Sequence, residues 1–307
     1  MIKVYAFEPS AILDPILMQA LESFGFDHGR IIGRVPKDWR KQVGDVFREA
    51  ISDGSDPKAL EIALERLAKK NAIQKVELSS LENETWLDKA CAVSVDHVHG
   101  IICSDSNSNS DPRIISRLDI NDDNLVWKQE SGLREIRQPK EMAEKTRVLL
   151  RFATEVKFID PHYAGEKEHT NFFVECIKTL DSLRKEKRPK LEIHFSYRVS
   201  AADELHVRKQ VSRPVFETIL KKTKCELSET TIPIKLFQWS STEDGDRFHE
   251  RYVVSDLGGI EFGGGLSTGR ASEKTSVNRL SSSVREELFA NYKAGSDVYD
   301  LLHHATL

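Results

Sequence analysis

The residues best suited to chemistry lie in one run of the 307-residue chain: Arg247-Phe248-His249-Glu250-Arg251-Tyr252-Val253-Val254-Ser255-Asp256-Leu257-Gly258-Gly259-Ile260-Glu261-Phe262-Gly263-Gly264-Gly265-Leu266-Ser267. Residues 247–255 predict a strand, on which side chains two apart share a face; His249 and Arg251 then point to one side, Glu250 and Tyr252 to the other. A neutral imidazole can attack phosphorus, and a guanidinium beside it can clamp the phosphate oxygens. Just past the strand, the carboxylate of Asp256 can orient a ring nitrogen or balance charge. That chemistry calls for no metal and no cofactor. The plainer reading of His249 and Arg251 is a solvent-facing strand paired with acids such as Asp244 or Asp246.

Other residues are candidates for contacts to the same substrate. Ser267 and Asn278 offer hydrogen bonds to a phosphate. Asp160 and His162 close a predicted strand, where ligands of open α/β sheets gather, although a simple strand-ending turn explains them equally well. Gly263, Gly264 and Gly265 lack the Lys-Ser/Thr and helix of a phosphate-cradling loop, so close backbone packing beside the site is expected of Gly263 and Gly265. The basic run from Arg184 to Lys190 reads as a solvated loop, or as a track for a phosphate backbone.

The spacing His-x-Arg-x4-Asp before a glycine-rich strand resembles the phospholipase D superfamily, whose usual motif is His-x-Lys-x4-Asp and then Gly-Ser-x-Asn. His249, Arg251, Asp256 and Gly263 fall on the matching positions, with arginine for lysine; Gly264 and Leu266 stand where Ser and Asn would be, and Ser267 is the candidate substitute. A closer resemblance is to the phospholipase D-like C-terminal domain of MIT-domain proteins. It rests on Asp160-Pro161-His162-Tyr163, Asn171-Phe172, Phe248-His249-Glu250-Arg251 and Gly263-Gly264-Gly265-Leu266, and spans residues 155–290.

The resemblance implies a metal-independent phosphodiesterase acting through a phosphohistidine on His249 with Arg251 as clamp and Asp256 as orienting carboxylate; a nuclease is expected more than a lipase because the sequence offers no membrane anchor or amphipathic basic helix. Enzymes of the superfamily use two histidines, so a single motif implies a homodimer; Asp96-His97-Val98-His99 is a degenerate alternative within the chain. The MIT-associated relative is regarded as a binding and dimerising module. It implies the competing expectation of an inactive domain that binds nucleic acid, anionic lipid or a protein partner, the last through the N-terminal domain. By analogy with defence loci that contain this fold, such a chain could serve a bacterial antiviral defence system.

These residues must be positioned by a scaffold that the hydrophobic pattern outlines. After residue 140 a helix over 140–153 leads to a strand at 156–159, a helix over 170–183, a strand over 191–197, a helix over 214–224, a strand over 232–239 and two more strands through 263. Alternating β and α segments predict a C-terminal α/β/α sandwich with a mixed sheet over 135–307. Residues 1–134 predict a smaller α/β domain: a strand at 2–7, a helix over 12–24, a short strand at Ile31-Ile32, helices near 36–51 and after Pro57, and one or two strands between Ala90 and Cys103.

Composition limits the class without choosing the partner. With 39% hydrophobic and 31% charged residues the chain is an ordinary globular protein. It shows neither a long apolar run nor a signal-peptide pattern, so a cytoplasmic location is expected. Cys91, Cys103, Cys176 and Cys225 are too scattered for a zinc knuckle or disulfide framework. The formal net charge of −4 hides a split: residues 1–134 carry 17 Lys+Arg against 22 Asp+Glu, residues 135–307 carry 28 against 27. The candidate site thus sits in a near-neutral half, and the overall acidity is no argument against phosphate binding.

Overall fold

The computed structural model describes residues 1–53, 58–76, 85–104, 110–184, 187–198, 200, 203–242 and 251–307. The chain divides into two units, Met1–Ser131 and Gly132–Leu307. It is an α/β protein with one sheet in each.

The first unit runs β1 (Lys3–Phe7), α1 (Pro15–Ala20), β2 (Arg30–Arg34), α2 (Trp39–Ser52), α3 (Lys58–Lys69), β3 (Ile73–Lys75), α4 (Trp86–Ala92), β4 (Gly100–Ile102) and β5 (Ile114–Ile115). Its five strands are ordered β3-β2-β1-β4-β5, every pair parallel. Tyr5, Phe7, Ile32, Ile102 and Ile115 pack against Leu17 of α1, Trp39 and Val43 of α2, and Leu60 and Leu67 of α3. Of these strands β1 from Val4 to Phe7 and β4 are apolar and buried at every position, the pattern of central strands in a parallel sheet.

Two expectations change here. The helix over 12–24 is broken into a 3-10 turn (Ser10–Leu13), α1 and a second 3-10 turn (Leu21–Ser23), because Asp14 caps a new helix that starts at Pro15. The stretch after Trp86 opens as a helix, set by a Thr85–Asp88 capping box, before β4 begins at Gly100.

The second unit runs β6 (Gly132–Ile136), α5 (Pro139–Phe152), β7 (Glu155–Ile159), α6 (Lys167–Leu183), β8 (Lys190–Ser196), α7 (Leu205–Glu226), β9 (Ile234–Ser241), β10 (Tyr252–Ser255), β11 (Gly259–Phe262), β12 (Lys274–Arg279), α8 (Ser282–Asn291) and β13 (Tyr299–Thr306). The eight strands are ordered β13-β9-β8-β7-β10-β11-β12-β6. β7, β8 and β9 are mutually parallel and the remaining pairings antiparallel, so the sheet is mixed.

Helices cover both faces of this sheet. Phe172 and Phe173 of α6 meet Phe158 of β7 edge to face, and Phe216 of α7 stacks on Phe195 of β8. On the opposite face, Ile159, Phe237, Trp239 and Val254 pack with Tyr292 at the end of α8 and with Tyr299 of β13. Each aromatic pair adds about 0.5–1.5 kcal/mol beyond its burial, so β7 and β8 form the rigid centre of the unit.

Candidate functional site

The parallel strands of the second unit all end on one edge of the sheet, and the site is built there. β7 delivers Asp160 one residue past its end, 3% exposed. Its two oxygens are spent on backbone: Oδ1 accepts the His162 N–H at 2.9 Å and Oδ2 the Leu266 N–H at 2.8 Å. Asp160 therefore anchors the loop after β11 to the end of β7.

That loop is glycine-rich for steric reasons. A Cβ on Gly263 would stand 2.3 Å from Ser276 Oγ, so this residue lies flat against β12. Gly265 has φ +92°, a left-handed conformation that disfavours a side chain. A Cβ on Gly265 would stand 3.4 Å from Arg137 Nη2, 3.4 Å from Asp160 Oδ2 and 3.8 Å from Arg251 Nε. Two guanidiniums and a carboxylate thus converge on a spot that glycine leaves open.

The two arginines differ in how they are held. Arg137, one residue past β6, donates from Nε to the Ser267 carbonyl (3.0 Å), from Nη2 to Ser267 Oγ (2.5 Å) and from Nη1 to Glu273 Oε1 (2.6 Å). A guanidinium has five N–H groups, so two of its donors are left over. Ser267 thus acts by orienting Arg137. Arg251, next to the start of β10, makes no hydrogen bond or ion pair from its guanidinium to another described residue.

A second group of polar atoms lies near Asp160 and the end of the glycine loop. His169, in the first turn of α6, has its Nδ1 buried without a partner, and so has the Oγ1 of Thr268. The Thr268 N–H donates to the Glu168 carbonyl at 2.6 Å, which docks the glycine loop on the start of α6. Burial pushes the His169 imidazole below its usual range, against the opposing pull of Asp160, Glu166 and Glu168, while His162 adds to the drop. The His162 ring itself is exposed. Arg137, His169 and Thr268 escaped the sequence reading, since no spacing links them to residues 247–267; the only available signal for His169 was its nearness to Asp160 along the chain.

Other sequence candidates are carried elsewhere. Asp256 does not meet Arg251: β10 takes it to the far end of β7, where its carboxylate accepts the Thr154 N–H (2.9 Å), the Thr154 hydroxyl (2.7 Å) and the Glu155 N–H (3.3 Å). Asn278 is paired through Glu261 with Tyr252 and Ile159, on the face turned to α8, and its amide donates to Glu261 Oε2 at 3.1 Å. His99 is structural in the first unit, its Nδ1 accepting the Val4 N–H at 3.1 Å. Within the basic run, Arg184 donates to the Ala153 carbonyl and Arg188 pairs with Asp181. His249 and Glu250, with Asp244 and Asp246, lie outside the described residues.

Across the sheet is a second charged cluster, fully enclosed. Lys157 of β7 donates to the Phe289 (3.0 Å) and Tyr292 (2.6 Å) carbonyls at the end of α8 and stands 3.8 Å from Glu192 Oε2. Trp239 Nε1 donates to His194 Nδ1 at 3.0 Å, so His194 carries its proton on Nε2 and gives it to Glu192 at 3.2 Å. Burial, only partly opposed by Glu192, lowers the His194 pKa to about 4.

Comparison with known proteins adds little to this geometry. No family model matches the chain, and no curated protein is similar to it. Among solved structures, the archaeal chromatin protein TrmBL2, described as showing a novel mode of DNA binding, aligns at 16% identity and a TM-score of 0.24. The alignment covers 52% of this chain and 50% of that one. So weak a likeness carries no argument.

Proposed function

We propose that the second unit binds a phosphodiester at the Gly265 spot and cleaves it without a metal, His249 acting as nucleophile and Arg251 as clamp on the phosphate oxygens. The observation that carries this reading is the convergence of Arg251 and Arg137 on Gly265 beside buried Asp160. Gly265 leaves the spot open, and the arginines retain donors for an anion. Attack by the His249 imidazole forms an N–P bond as the leaving oxygen departs and takes up a proton; water then hydrolyses the phosphohistidine and regenerates the imidazole. The resemblance to the phospholipase D superfamily makes the α/β/α arrangement and this chemistry a consistent pair. No described helix is long and apolar enough to cross a membrane.

The test is incubation of the purified chain with DNA, RNA and bis(p-nitrophenyl) phosphate in EDTA. Turnover that disappears in His249→Ala is the expected result; no turnover on any of the three, or turnover undiminished in that variant, sinks the catalytic reading. Pairing of two His249 residues in a homodimer goes with it and predicts a dimer in sedimentation at micromolar concentration.

A second reading, a binding module without chemistry, is favoured by one observation: Asp256, the motif carboxylate, is tied to Thr154 and Glu155 far from Arg251. It predicts affinity for nucleic acid or anionic lipid that falls with salt and depends on Arg251, with no turnover. The first unit would then be the surface for a protein partner, as in a defence complex.

A further inference from the structure

The polar groups around Gly265 hold no surplus of positive charge. Arg137 is matched by Glu273 at 2.6 Å, and Arg251 shares the spot with Asp160. Glu166 and Glu168 flank the start of α6, Glu166 being 3.2 Å from Lys222 of α7. An anion arriving here adds negative charge to a cluster with no positive surplus, and a group that gains a proton offsets part of it. His169 is the group placed to do so: its Nδ1 is buried and has no partner, it stacks edge to face on Tyr163 at 5.8 Å, and Asp160 lies within its electrostatic reach. Its backbone neighbour Glu168 is bonded to Thr268 of the glycine loop.

We propose that His169 is a third anion ligand of this site and that it takes up a proton as the anion binds. This rests on the phosphate-binding reading of the Arg251 and Arg137 pair and extends it to a residue no motif marks. In the free site burial keeps the imidazole neutral; an anion beside it replaces lost hydration with a counter-charge and reverses that preference. Binding is then linked to protons with a fixed sign: affinity rises as pH falls through the imidazole range and levels off at high pH, where His169 stays neutral. His162 is the other imidazole close to Asp160, two residues past it and exposed.

Sulfate tests the coupling because it is a dianion that does not itself titrate in this range. Titration of the full chain with sulfate between about pH 5.5 and 8 should show affinity rising by up to about tenfold per pH unit where the imidazole titrates, with proton uptake measurable by calorimetry in two buffers of different ionisation enthalpy. In His169→Gln the sulfate affinity should be flat across the range and equal to the wild-type value at pH 8; in His162→Gln the slope should persist. A flat wild-type profile, or a slope that survives His169→Gln, overturns the coupling while leaving the anion site intact. If the wild type binds no sulfate at any pH, the anion-binding reading falls and the coupling with it.

Discussion

Lys157 and Asp160 stand three residues apart at the middle and end of β7, and they anchor two charged clusters with opposite characters. The Lys157–Glu192–His194 cluster is closed: Lys157 is 2% exposed and His194 0%, and both are engaged by carbonyls, a carboxylate or an indole N–H. The Asp160 cluster is open: Arg137 keeps spare donors, Arg251 has no described partner, and His169 Nδ1 and Thr268 Oγ1 are unpartnered. A satisfied buried network holds a fold together, and a half-satisfied one costs stability unless something binds it. The difference sets the closed cluster apart as scaffold and the open one as the candidate site.

If that division is right, stability effects should shrink and binding effects should grow from the first cluster to the second. The largest loss is expected from Lys157→Met, which removes the cation beside Glu192 and leaves two helix-end carbonyls without their donor; urea unfolding should show about 3–5 kcal/mol of destabilisation, and a loss below about 1 kcal/mol would break the comparison.

Next comes acid. His194 takes up its proton near pH 4 in the fold and near 6.5 when unfolded, so the unfolded chain binds the extra proton between these values and stability falls as pH drops through that window. The total is about 3 kcal/mol by linkage, read from urea midpoints at pH 7 and 4.5, and His194→Gln should flatten the slope.

Gly265→Ala should cost about 1–2 kcal/mol through its positive φ and should weaken sulfate or nucleic-acid binding, because the methyl group fills the spot between the guanidiniums. Arg251→Ala should shift unfolding by less than about 0.5 kcal/mol, yet lower anion affinity at least about tenfold. An Arg251→Ala protein that is strongly destabilised would move Arg251 from the site to the scaffold.

Parts of this picture were legible in advance. The helices at 139–152 and 167–183 and the strands at 155–159 and 190–196 follow from periodic apolar residues. Asp160, Arg251, Gly263, Gly265 and Ser267 were reached through local spacing and strand ends, and the structure gathers them on one edge. Asp256 lies away from Arg251 because five residues along an extended chain amount to roughly 16 Å at about 3.3 Å per residue, which carries its side chain to the other end of β7. Asn278 lies apart from the others because alternation along β12 turns it to the face opposite Phe262. α7 begins at Leu205, well before its apolar stretch, and runs through Pro214. β6, β12, α8 and β13 have polar, weakly periodic sequences and gain their form from pairing and packing.

By itself the amino-acid sequence determined the α/β class and the need for glycine near 263–265, since each depends on neighbours within a few residues. Only the tertiary structure decided which charges meet. Arg137 and Ser267, 130 positions apart, are joined because β6, β12 and β11 lie side by side in one sheet. His169 joins them because α6 follows β7 across the same edge. Electrostatic partners are chosen by distance in space, and the order of strands, which no local pattern encodes, sets that distance.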